Sequence, residues 1–371
     1  MFWMRILSSL IVTASFALVG SSFAVAQQQS IAVNRGVVEL ETSTSSGASI
    51  RIAEDLANLV DDGATRRVVP VVGKGALQNL TDLKYLRGID LAIMPVDVLD
   101  YVNKEKMFPA PENSFTYVTK LYNEEFHLLV RPEIKEIGDL ARQKVNVDVR
   151  GSSTALTAAR IFGLLKIQVS VVNDPSELAL NKLRNGEIAA LALVSAKPAP
   201  LFTALQRDEG LRLLDIPFDQ LAQAGYVPAR FSGTDYPALG ASERAIETAA
   251  VGTVLLAADL RVGTERFRNL ASFVEAFFTG FQGLLTPGHH PKWQEVNLAA
   301  DLPGWRRFAP ADAWLQRNMQ IAQAPKPDEM RVMFSRFVDE RRQASGSGPM
   351  TPQEKDELFQ QFRAWQTGKS R

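Results

Sequence analysis

The chain has 371 residues, no cysteine and only three histidines, His127, His289 and His290. Without a thiol there is no disulfide framework and no thiolate nucleophile. A lipid-anchored cysteine is excluded for the same reason. Two of the histidines are adjacent in a Pro/Gly loop and the third lies in an apolar strand, so no metal-ligand spacing is visible. Charge of one sign is also missing: 41 Lys and Arg balance 41 Asp and Glu. With no basic run either, nothing in the composition attracts nucleic acid or an anionic membrane. The motifs of common enzymes are missing too. "GSST" at Gly151 lacks the second glycine of a nucleophile elbow. "GKGALQN" at Gly73 is not a phosphate loop, because its lysine precedes the second glycine and no Gly-Lys-Ser/Thr follows. With no acid–base pair standing out, the expectation is a non-enzymatic protein with no cofactor and no metal.

What is present begins at the N-terminus. Met1 to Arg5 carry one positive charge, Ile6 to Phe23 are apolar with small residues, and Ala24-Val25-Ala26 forms an A-x-A cleavage site. This reads as a signal peptide over residues 1–26, removed after Ala26, and points to a periplasmic location. No second long apolar run follows, so the mature chain is expected to be soluble with no direct membrane insertion. A hydrophobic content of 46% suffices for a real core, and the length suggests about two domains.

From Gly36 onward strand-like and helix-like segments alternate, which argues for an α/β architecture with mostly parallel sheets. "VVELETSTSSGASIRIAEDLANLV" runs from an extended segment through a Ser/Thr/Gly turn into a helix. "RRVVPVVGKGALQNLTDLKYLRG" repeats that plan, and "VNVDVRGSSTALTAARIFGLL" repeats it again. "IDLAIMPVDVLDYV" reads as a buried strand ending near Asp97. The stretch from Ala241 to Gly283 has few breakers and is predicted to be helical. After about Gln323 a Pro-rich joint and a Ser/Gly spacer lead to an amphipathic helix. Thr351 and Glu354 have the spacing of a capping box there, and Leu358, Phe362 and Trp365 share one face.

The turns are where binding is expected, because ligands of open α/β sheets sit beyond the carboxyl ends of the strands. Arg150, Gly151, Ser152, Ser153 and Thr154 stand where a strand hands over to a helix. The helix start exposes free amides and the positive end of the dipole, which suits a carboxylate or phosphate. The alternative is a plain N-cap, since serine and threonine are common caps. Thr44, Ser45, Ser46 and Gly47 form a second such turn, and Gly75, Ala76 and Asn79 a third. Asp97 is either a site carboxylate or a surface cap. Ser195, at the end of the strand in "AALALVSAKPAP", completes the candidate set.

In order and spacing, "GKGALQNLTDLKYLRGIDLAIMPVDVL", "YVTKLYNEEFHLLVRPEIKEIGDLARQKVNVDVRGSST", "NGEIAALALVSAKPAPLFTAL" and "GYVPARFSGTDYP" resemble the solute-binding proteins of TRAP transporters of the TAXI type. The resemblance fades after about Asn297. It implies a type II periplasmic-binding-protein fold, two α/β lobes with a hinge and a ligand cleft, plus the C-terminal helical appendage. The implied organisation is residues 27–122 as the first part of lobe I, 123–235 as lobe II, 236–322 as a helical second part of lobe I, and 323–371 as an extension. The crossings between lobes would fall near Tyr117 to Glu125 and Tyr226 to Tyr236. The implied ligand is a small organic anion, carboxylate or amino-acid-like, delivered to a TRAP-type membrane permease.

The chain departs from the pattern in its first turn, where Ser49, Ile50 and Arg51 replace a glycine followed by paired aromatics. Arg51 is either a cation of the cleft or a solvated helix arginine. Arg150, in place of a glycine, is a second possible cation. The altered turn and the extra tail also fit another reading, a ligand-sensing module that docks on a partner protein instead of a transporter.

Overall fold

The structure, a computed structural model, describes residues 36–43, 47–239, 244–318 and 350–366. The expected signal peptide, the turn residues Thr44, Ser45 and Ser46, and the Ser/Gly spacer lie outside the described residues. Contacts divide the chain into two units at Arg317/Asn318.

In the first unit a ten-stranded sheet runs through two halves. In the first half, β1 (Val37–Thr42), β2 (Arg67–Val72) and β3 (Ile89–Pro95) are parallel. Helices α1 (Ala48–Val60), α2 (Ala76–Tyr85) and α3 (Val96–Lys104) follow these strands in turn. In the second half, β5 (Lys144–Asn146), β6 (Ser170–Val172) and β7 (Ala190–Ser195) are parallel. There α4 (Ser153–Leu164) and α5 (Ser176–Arg184) make the crossovers.

Two long strands join the halves: β4 (Phe115–Val130) and β10 (Ile246–Ala258). Their antiparallel pairing fixes the strand order β2-β1-β3-β10-β4-β7-β5-β6. Two short strands flank this path: β8 (Arg212–Leu213) on β4 and β9 (Val227–Phe231) on β10. Two α/β halves linked by two crossing strands are the architecture of type II periplasmic binding proteins, as the sequence led us to expect.

The second crossing differs from expectation. β10 pairs with β9 over Ile246–Ala250 and with β3 over Thr253–Ala257, so it changes halves at Val251–Gly252. The segment Tyr226–Tyr236 holds β9, a flanking strand of the second half. The predicted helix over Ala241–Gly283 is therefore β10 followed by α6 (Glu265–Leu284). An Ala- and Leu-rich run such as "TAAVGTVLLAA" fits a helix and a doubly covered strand equally well, and only its tertiary partners decide. Here the partners are strands on both edges, and 254–257 are fully buried.

Apolar layers fill each half. Leu80, Met94, Val98, Val102, Phe115 and Leu256 pack together in the first. Phe126, Leu128, Val145, Ala158, Ile161 and Phe162 do so in the second. Helix α6 closes the first half against α1, where Gly280 gives room to Leu59: a Cβ there would lie 2.8 Å from its methyl. Helix α7 (Ala309–Arg317) follows and ends the first unit.

In the second unit, α8 (Pro352–Gln366) begins at the expected capping box. The Thr351 amide donates to Glu354 Oε2 at 2.8 Å, and the Glu354 amide to Thr351 Oγ1 at 3.3 Å. Leu358 is exposed, whereas the side chains of Phe362 and Trp365 lie outside the described residues. Among the described residues no helix is long and apolar enough to cross a membrane.

Candidate functional site

The register places the site. Pro95, the last residue of β3, lies opposite Thr253 in the middle of β10. Ser195, the last residue of β7, lies opposite Glu125 in the middle of β4. The carboxyl ends of both sets of parallel strands therefore point at the crossing, and a cleft of about 520 Å³ opens between them. The first turns of α1, α2, α4 and α5 line it through Gly47, Gly75, Ser152 and Ser176. Four helix starts bring their positive dipole ends to one space.

Glycine is required at two positions of the turn ahead of α2. Gly75 has φ +123°, and a Cβ on it would stand 3.2 Å from the Gly151 carbonyl oxygen across the cleft. At Gly73 a Cβ would collide with the Asn79 side chain, 2.2 Å from its Oδ1. Contacts between the halves include three hydrogen bonds. The Leu77 amide donates to the Gly151 carbonyl at 3.1 Å. Arg160 donates to Asp100 at 2.7 Å, and the Tyr226 hydroxyl to Asp97 Oδ2 at 2.8 Å.

The three hydroxyls at the start of α4 have three roles. Ser152 is the plain cap, its Oγ accepting from the Ala155 amide at 3.1 Å. Thr154 Oγ1 accepts from the Val194 amide at 3.0 Å and ties the turn to β7. Ser153 is 8% exposed, lines the cleft, and its Oγ has no partner. No acceptor among the described residues takes the amide hydrogens of Ser153 or Thr154.

Of the expected residues, Gly47, Gly75, Ser152, Ser153, Thr154 and Ser195 line the cleft. Thr44, Ser45 and Ser46 lie outside the described residues, and the other described ones lie elsewhere. Asn79 is buried beneath the first turn and donates from Nδ2 to the Thr42 carbonyl at 3.1 Å, a bracket for the chain. Ala76 is buried as the first residue of α2. Gly151 serves the contact with Leu77. Asp97 is neither a surface cap nor a lining residue of this cleft; it is buried under Tyr226, and burial raises its carboxyl above the usual range. Arg150 is exposed outside the lining. Arg51 pairs with Glu54 at 3.5 Å with its side chain 65% exposed, the solvated arginine of the two readings. It borders a separate space of about 400 Å³ beside Pro198 and His290.

Sequence reasoning missed Lys74, Glu124, Asp148 and Glu177, all of which line the cleft. Lys74 is the only basic residue among the described lining residues. The signal for Glu124 was an acidic pair inside an apolar strand, "NEEFHLLV". Burial and the neighbouring Glu125 push the Glu124 carboxyl up to about 8. Burial also raises Asp148, which stands in the left-handed region at φ +65°.

The histidines are structural. His127 accepts from or donates to Tyr236 at 2.7 Å and the Glu125 carbonyl at 2.9 Å, between Phe202 and Phe231. Burial drives it down to about 3, so it is neutral at physiological pH. His289 contacts Asp55 at 3.2 Å. Among the described residues no group of three or more His, Asp or Glu is placed to hold a metal ion.

Comparison with known proteins gives a family. Residues 40–260 match the model described as the NMT1-like family. No curated protein matches the chain. Similar solved structures include the alkanesulfonate-binding protein SsuA from Xanthomonas axonopodis pv. citri bound to MOPS, 15% identical with TM-score 0.44, covering 82% of this chain and 93% of that one. A TctC solute binding protein from Polaromonas is 16% identical with TM-score 0.39, covering 67% and 88%. The CcmR regulatory domain of Synechocystis PCC6803 in complex with 2-PG is 15% identical with TM-score 0.40, covering 64% and 96%. These likenesses are loose, and the architecture rests on the strand order given above.

Proposed function

The chain belongs to the NMT1-like family, and from that premise we propose that it is an exported solute receptor. Its cleft captures a small organic anion between two lobes and hands it to a TRAP-type membrane permease. The lobes divide near Asn123 on β4 and near Val251–Gly252 on β10. The observation that carries the reading is Ser153: a buried hydroxyl without a partner, at a helix start where the Ser153 and Thr154 amides have no acceptor among the described residues, inside a cleft ringed by three more helix starts. A ligand acceptor supplies the hydrogen bond that this hydroxyl does not make within the protein, worth about 0.5–1.5 kcal/mol net. Carboxylate, sulfonate and sulfate oxygens all fit such a site. The permease half of the proposal rests on the ordered resemblance to the TAXI receptors.

A thermal-shift panel of amino acids, dicarboxylates, aromatic acids, phosphate and sulfate tests the capture step. A ligand at 100 times its Kd stabilises the fold by about 2.7 kcal/mol. One stabilising anion class, lost in Ser153→Ala, is the expected result. Stabilisation that survives Ser153→Ala undiminished removes this serine from the site. Uptake into vesicles carrying a TRAP-type permease, dependent on added receptor, tests delivery.

A further inference from the structure

The crossing strand β4 carries two adjacent carboxyls that face opposite ways, as alternation along a strand demands. Glu125 has both oxygens taken. Lys292 Nζ donates to one at 2.7 Å and the Lys197 amide to the other at 2.9 Å. Glu124 lines the cleft, 8% exposed, with the Tyr122 hydroxyl 3.4 Å from its Oε1.

The charged and titratable groups around Glu124 come from four directions. Tyr122 and Glu125 flank it on β4, Asp97 approaches from α3, and Lys292 from the turn at 291–295. Lys74, Asp148 and Glu177 share the cleft with it. Lys292 is already held by Glu125 and, at 2.8 Å, by Glu295. A buried carboxyl with like charges beside it and no cation of its own is driven to its neutral form. Burial first and Glu125 second hold Glu124 at about 8. A neutral carboxyl is a hydrogen-bond donor, whereas a carboxylate only accepts.

We propose that Glu124 is the specificity-determining donor of the cleft: it gives the hydrogen of a protonated carboxyl to an anionic group of the ligand, so the solute is captured together with that proton. The inference rests on the anion-receptor reading above and adds to it. A ligand oxygen placed at Glu124 gains a charge-assisted hydrogen bond, and binding weakens where the carboxyl ionises.

Two measurements test it. Infrared spectra of the ligand-free protein at pH 6.5 should contain a protonated-carboxyl band that Glu124→Gln removes and that the wild type loses as pH passes about 8. Calorimetry then uses succinate and sulfate, whose charges are constant between pH 7 and pH 9. Wild-type affinity should be about tenfold weaker at pH 9 than at pH 7, since each unit above the carboxyl's midpoint costs a factor of about ten. In Glu124→Gln, which donates but cannot ionise, the ratio between the two pH values should collapse to about one. A missing infrared band, or a wild-type affinity equal at both pH values, overturns the donor role and leaves the anion reading of the cleft standing. A band that is present with no binding of either probe overturns the anion reading and the donor role with it.

Discussion

On one face of β4, where the strand passes between the halves, Glu125 is clamped by Lys292 and by the Lys197 amide, and Lys292 in turn by Glu295. On the other face, one residue earlier, Glu124 looks into the cleft with a tyrosine hydroxyl at the edge of reach. The start of α4 repeats the contrast in three residues: Ser152 and Thr154 are satisfied within the protein, and Ser153 is not. Folded proteins satisfy nearly all their buried polar groups, so the satisfied ones report on the frame. An unsatisfied one that lines a cleft, as Ser153 does, reports on a ligand.

Substitutions at these positions should separate frame from site by size of effect. The largest loss is expected from Lys292→Met, which strands the buried Glu125 carboxylate. Breaking such a pair from one side costs about 3–5 kcal/mol, visible in denaturant unfolding. A loss under 1 kcal/mol would mean that water reaches the pair and that this face of β4 is not a dry frame.

Next comes the slope of stability with pH. Glu124 is raised to about 8 from an ordinary 4.5. Between those values the folded protein holds a proton that the unfolded chain has released. Raising the pH through that window therefore favours unfolding, and the effect levels off above about 8. Glu41, raised to about 7 by burial and by Asp82, acts in the same direction. Unfolding free energies measured from pH 5 to 9 should fall and then flatten. Glu124→Gln should remove up to about 1.4 kcal/mol per pH unit of that slope. A slope unchanged by the substitution would place the titrating group elsewhere.

Smaller effects follow. Tyr226→Phe deprives the buried Asp97 of its donor and should cost about 1–3 kcal/mol. Ser152→Ala removes a cap from α4, worth about 1 kcal/mol. Ser153→Ala removes a hydroxyl that bonds nothing, and stability should move by less than about 0.5 kcal/mol in the absence of ligand. The last two serines are neighbours of identical chemistry. Equal losses from both would erase the distinction between cap and ligand group.

The legible parts of this chain were the local ones. The alternation of strand and helix, the glycine turns ahead of α1, α2 and α4, and the Thr351–Glu354 capping box all depend on residues a few positions apart. What sequence could not supply was the identity of distant partners. Asn79 resembled a ligand residue until the Thr42 carbonyl, 37 positions away, claimed its amide. Asp97 resembled one until Tyr226 closed over it. β10 looked helical because its two flanking strands, β3 and β4, come from far upstream. Arg51 and Arg150 drew attention as cations, yet the lining has Lys74 and a set of carboxyls instead. Which of several polar residues at a turn remains unsatisfied is a tertiary fact, and that fact marks the site.

The most direct test of the account is the ligand-induced shift in melting temperature of the wild type and of Ser153→Ala, measured side by side with succinate and with sulfate. Equal melting temperatures without ligand are expected, with a clear rise in the wild type with at least one of the two anions and most of that rise lost in the variant. Equal rises in both proteins, or no rise in the wild type with either anion, would contradict it.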